Sequence, residues 1–184
     1  MINVDSPDYI KSWSEVRFIP GSLSAIKALN DAGYTVLIVT NQSAVHRRLI
    51  PVEELDRIHR RMQRAAMARG GRIAEVFICP HLPDEGCACR KPRPGLIRAA
   101  QERYDIDMEN SVLVGDSAKD IECARLSGCG HAVLVETGNG KAAMAELIQK
   151  GIYPEKTAQD LAAAADWIVS MSRGQERKKS RKNY

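Results

Sequence analysis

A chain of 184 residues with 44% hydrophobic content can bury one domain-sized core, and no run in it approaches the roughly 18 to 20 consecutive apolar residues of a membrane span. The N-terminus also lacks the basic, apolar, small-residue order of an export signal, so a cytoplasmic monomer with no membrane partner is expected. The formal net charge of +4 sits in the tail, since residues 173–184 hold six Lys or Arg against one Glu and the rest is near neutral; a short basic end without apolar anchors predicts a disordered, solvated tail rather than a nucleic-acid site.

The first residues, Ile2-Asn3-Val4-Asp5, read as the end of a strand entering a loop, with no strand ahead of them. Gly21-Ser22 followed by Leu23, Ile26 and Leu29 has helical spacing, and Gly33 is placed to end that helix in a left-handed conformation. Residues 35–39 form a continuous apolar run rich in β-branched side chains, the pattern of a parallel strand buried on both faces. Pro51 opens a helix whose apolar face is Leu55, Ile58, Met62 and Ala66, whose arginines face solvent, and which Gly70-Gly71 closes. Strands follow at 76–78, 112–114 and 132–135, with helices at 94–104 and 118–126. The Ala-rich segment 160–169 is helix-prone, with Trp167-Ile168-Val169 a candidate edge strand. This alternation predicts an α/β three-layer sandwich over residues 1–172, its parallel sheet doubly wound, with no large cap domain.

Five cysteines without an export signal argue against a disulfide framework and for metal binding. Cys79, His81, Cys87 and Cys89 supply three thiolates and an imidazole within eleven residues, a set suited to a tetrahedral structural Zn²⁺. Pro80, Pro83 and Gly86 bend the loop between the two pairs. Four protein ligands leave no position for water, so the ion would brace the loop rather than catalyse. Cys123 and Cys129 lack partner spacing and read as ordinary thiols.

Ligands of open α/β sheets bind beyond the carboxyl ends of the strands, and three polar groups fall there. Thr40-Asn41-Gln42-Ser43 follows a buried strand and presents a hydroxyl and backbone N–H groups to a phosphate, or simply forms a turn. Arg90-Lys91 follows the cysteine loop and offers a fork and a point charge to a phosphoryl group, or is solvated surface. Asp116 follows the 112–114 strand, four residues ahead of Asp120, and either holds Mg²⁺ or caps the next helix.

In these motifs, TNQS, CxH with CxCRKP, and VGDxxxD, the chain resembles the haloacid dehalogenase superfamily of phosphatases over nearly all of residues 1–170. The resemblance is to its zinc-containing branch, whose substrates include heptose bisphosphate, the closer match, and histidinol phosphate. It implies hydrolysis of the 7-phosphate of heptose 1,7-bisphosphate, a small sugar-phosphate substrate, on the route to ADP-heptose and the lipopolysaccharide core. It further implies that Thr40 and Lys91 steady the transferring phosphoryl group, that Asp116 holds catalytic Mg²⁺ with Asp120 behind it, and that Arg90 recognises substrate. Asp5, Asp8 and Tyr9 match the substrate loop, and Asn41, Gln42 and Ser43 the phosphate turn. Members usually carry Gly where this chain has Ala44.

In that family a central strand ending in Asp-x-Asp-Gly precedes the segment matched by Ile2-Asn3, its first Asp being the nucleophile and its second the acid/base. Both fall ahead of Met1. The expectation is therefore a gene product beginning earlier by roughly a dozen residues, about one strand and its turn, and an unstable, inactive chain if Met1 is the start. A genuine Met1 would make the chain a catalytically inactive zinc-binding module.

Overall fold

Side-chain alternation along the strands decides how the layers stack. In β1 (Val36–Asn41), Val36 and Ile38 enter a core shared with α1 (Ser22–Asp31), α3 (Val52–Ala68) and α7 (Leu161–Arg181), while Val39 enters a second core on the opposite face. In β3 (Val112–Gly115), Val112 and Val114 join the first core and Leu113 the second. β4 (His131–Val135) sends Ala132 and Leu134 to the second core and packs Val133 and Val135 with α7. That second face is covered by α4 (Gly95–Tyr104), α5 (Ala118–Ser127) and α6 (Gly140–Gln149) through Ile97, Ile121 and Leu147. A two-residue period with both faces covered is the physical signature of parallel strands in an α/β layer. The computed structural model describes residues 1–181 in this arrangement.

β1 pairs in parallel with β2 (Ile73–Cys79), and β3, β4 and β5 (Lys156–Ala158) form a second parallel sheet in that order. Their shared cores set the two sheets edge to edge in one layer, with β1 facing β3. Among the described residues no ladder joins them. A cleft of about 970 Å³ lies between, walled by Val36, Ile38, Val112 and Val114 and by Ile26 and Ile168 of the covering helices. The run at β1, read from sequence as buried on both faces, is consequently only half-buried along its length, whereas β4 is buried from Ala132 to Val135.

Three further readings change. Trp167-Ile168-Val169 is not an edge strand but part of α7, whose Ile168 and Ala165 pack on α1. The edge strand is β5, too short and polar to show alternation. α6, unanticipated because glycines surround its start, follows β4. α7 runs to Arg181 and so includes most of the basic tail; residues 182–184 lie outside the described residues. No helix among the described residues is long and apolar enough to cross a membrane.

Glu155 ties β5 to β4. Its carboxylate accepts the Ala132 N–H at 2.6 Å and pairs with Arg125 at 2.7 Å. Burial alone would raise its pKa, but the Arg125 and Ala132 bonds outweigh this and hold the carboxyl below its ordinary value of 4.5. A depressed folded pKa stabilises above the ordinary glutamate range and is lost as pH falls through it. Glu155→Gln should therefore melt below the parent near neutral pH, and the two melting curves, followed by circular dichroism, should converge in acid.

Candidate active site

The carboxyl ends of β1 and β3 bring Thr40, Lys91, Asp116 and Asp120 to one end of the cleft. Asp120, only 5% exposed, is the organising group. It accepts the N–H groups of Asp116 and Ser117 at 3.2 and 3.1 Å and the Ser117 hydroxyl at 2.8 Å, and pairs with Lys91 Nζ at 2.6 Å. The turn after β3 thus wraps around one carboxylate, and a Cβ at Gly115 would collide with Asp120. A buried charge so fully bonded is satisfied rather than costly.

Lys91 Nζ also donates to the Val39 carbonyl at 2.8 Å, so its ammonium bridges β1 to α5 across the end of the cleft. Thr40 Oγ1 accepts the Gln42 side-chain N–H at 3.2 Å, which leaves the threonine proton to donate elsewhere. Half-buried Asp116 follows β3 directly and meets the Met1 ammonium at 3.1 Å. Gly138, in a left-handed turn at φ +64°, approaches it so closely that a Cβ would lie 2.5 Å from Asp116 Oδ2. The sequence reading missed this turn; glycines after a buried strand, at the functional end of the sheet, were the available signal.

Asp5 and Tyr9 reach the cleft wall, and Tyr9 adopts φ +60°. Lys11 Nζ closes their loop on the Asp8 and Tyr9 carbonyls at 2.7 and 3.2 Å. Asp8 is exposed and lies off the wall. Asn41 and Gln42 line the cleft, while Ser43, only 7% exposed, opens the short helix α2 (Ser43–His46). Ala44 is helical and packs in the core, so the turn needs no glycine there. Arg90 is turned away: its Nη1 donates to the His81 carbonyl at 2.9 Å.

Cys79, His81, Cys87 and Cys89 converge next to this rim, their ligand atoms all within 4.8 Å of one another. Sulfur pairs Cys79–Cys87 and Cys87–Cys89 are 3.7 Å apart, and His81 Nδ1 is 3.5 Å from Cys79 and 3.3 Å from Cys89. A tetrahedron with metal–sulfur bonds of about 2.3 Å has sulfur–sulfur edges of about 3.8 Å, so the donor set fits Zn²⁺. Burial, with the neighbouring thiols, pushes the Cys89 thiol up to about 12. At Cys87 a desolvation effect in the same direction is outweighed by hydrogen bonds from the Arg90 backbone and from Cys79 and Cys89, and the pKa falls.

A doubly wound parallel layer with Thr, Lys and two Asp at its carboxyl ends defines a haloacid dehalogenase-like hydrolase, and a HAD-hydrolase-like family model matches residues 88–164. The D-glycero-β-D-manno-heptose-1,7-bisphosphate 7-phosphatase of Pseudomonas putida is 44% identical over 92% of this chain and 94% of its own. The enzyme of the same name from Bordetella bronchiseptica is 43% identical over 92% and 93%. A crystal structure of the B. bronchiseptica D,D-heptose 1,7-bisphosphate phosphatase, complexed with magnesium and phosphate, superimposes with a TM-score of 0.85 over 93% of this chain and 94% of that one. The chain belongs to this family of heptose-bisphosphate 7-phosphatases, which are phosphomonoesterases.

Proposed function

We propose that the protein hydrolyses the 7-phosphate of D-glycero-β-D-manno-heptose 1,7-bisphosphate. The observation that carries this reading is the cluster of Thr40, Lys91, Asp116 and Asp120 at one end of the cleft, beside a cysteine-histidine cluster of zinc geometry. The Thr40 hydroxyl and Lys91 ammonium hold equatorial oxygens of the transferring phosphoryl group, Lys91 being kept in reach by Asp120. Asp116 holds Mg²⁺, a hard cation that takes one or two carboxylates and shares substrate phosphate; when bound it supplies positive charge and a template for the reacting phosphate. Cys79, His81, Cys87 and Cys89 hold structural Zn²⁺. The wall at Asp5 and Tyr9, with Gln42, meets the sugar, and Arg90 reaches substrate from the rim if its bond to His81 opens.

The nucleophilic aspartate and the acid/base aspartate belong, in this reading, to a strand ahead of Met1 that occupies the cleft between β1 and β3. Attack of the first carboxylate on phosphorus breaks the ester bond, the second protonates the departing alcohol, and water then cleaves the aspartyl phosphate. A monomer acting in the cytoplasm belongs to the same reading.

The test compares kcat/KM for heptose 1,7-bisphosphate and histidinol phosphate, using polypeptides with and without an Asp-x-Asp strand ahead of Met1. Preference for the heptose ester, seen only with that strand, is expected. Preference for histidinol phosphate would overturn the substrate, and turnover by residues 1–184 alone would overturn the placement of the nucleophile.

A further inference from the structure

The carboxamide of Asn41 is spent on a single residue. Its Oδ1 accepts the Lys91 N–H at 3.1 Å and its Nδ2 donates to the Lys91 carbonyl at 3.2 Å, so one side chain closes both backbone bonds of a residue 50 positions away. Asn41 is itself held. It ends β1 in register with Cys79, and the N–H of the next residue, Gln42, donates to the Cys79 carbonyl at 2.7 Å. The end of β1, the cysteine cluster and the Lys91 backbone therefore form one bonded frame.

We infer that Asn41 is a positioning residue for Lys91 rather than a substrate contact. It fixes the backbone from which the Lys91 side chain reaches the end of the cleft, while Val39 and Asp120 hold the ammonium. Without it the Lys91 N–H and carbonyl lose their partner in a half-buried position, and the side chain starts from a looser base. The inference rests on the proposed function only in taking Lys91 as the group that meets phosphate; the clamp stands on the hydrogen bonds.

The test is Asn41→Ala in the full chain loaded with zinc, with Asn41→Asp as the variant that keeps an acceptor for the Lys91 N–H. Two quantities are read: amide hydrogen exchange at Lys91, and the Kd for inorganic phosphate by calorimetry with Mg²⁺ present. Exchange at Lys91 should rise about tenfold in Asn41→Ala, as loss of one hydrogen bond implies, phosphate should bind about tenfold more weakly, and Asn41→Asp should restore protection of that N–H. Zinc content should stay equal to that of the parent. Unchanged exchange, or phosphate binding equal to the parent's, overturns the proposal; so does loss of zinc, which would make Asn41 a support of the metal loop. If the parent itself binds no phosphate, the assignment of Lys91 to phosphate fails while faster exchange at Lys91 still upholds the clamp.

Discussion

Cys79→Ser is expected to abolish zinc binding and to lower Tm by about 10–20 °C. Cys79 is fully buried and, at the end of β2, anchors the cluster to the sheet, with the Gln42 N–H on its carbonyl. Structural zinc contributes folding free energy directly, about 10–16 kcal/mol in isolated finger peptides. Here the two large core clusters lie outside the loop, so a smaller loss of about 5 kcal/mol is the appropriate scale, and in a domain of this size each kcal/mol moves Tm by about 2–4 °C. Lys91 lies two residues beyond Cys89, so the rim proposed to meet phosphate should loosen together with the loop. Metal analysis and calorimetry on Cys79→Ser and on Cys123→Ser separate the cases: Cys123 is equally buried but stands outside the cluster. Retention of zinc by Cys79→Ser, or its loss from Cys123→Ser, would remove the zinc centre from this account. Because ligation takes up thiolates while Cys89 without metal holds its proton to about 12, zinc affinity should fall as the pH is lowered.

Extending the chain ahead of Met1 by an apolar strand of about six residues should raise Tm by about 10–20 °C. The Met1 ammonium lies beside Asp116 at the carboxyl end of the cleft, so an added strand entering Ile2 from the opposite end would run parallel to β1 and β3, whose facing edges have no ladder partner among the described residues. Each large side chain it buries against Ile26, Ile168 or the β-strand valines is worth about 1.5–3 kcal/mol. Ordering costs about 1.5 kcal/mol per residue, which leaves a net gain of several kcal/mol once the edge hydrogen bonds are added. A Gly/Ser extension of equal length controls for length alone, since it brings no apolar side chain. Equal melting temperatures for the two extensions would show that the cleft does not take a strand.

The cysteine-histidine cluster was readable because its four residues span eleven positions and a short proline-bent loop converges them locally on the end of β2. Runs of β-branched residues and helical spacing likewise carried strands and most helices, since burial on both faces writes itself into composition. β5 and α6 escaped for the opposite reason: a three-residue strand, Lys156-Thr157-Ala158, and a glycine-bracketed helix leave no period to detect.

At the rim, the sequence alone supplied the kinds of group available for phosphate chemistry, a hydroxyl, cations and carboxylates at strand ends. Only the tertiary structure decided what each one does: Asp120 is the buried hub, Arg90 is tied to the metal loop, Gly138 leans on Asp116, and Asn41 spends both amide atoms on Lys91. The same holds for β1, whose buried composition sits half-open because its edge faces a cleft. Composition and spacing report how much a residue needs burial or a partner, whereas which partner it finds depends on packing between segments far apart in the chain.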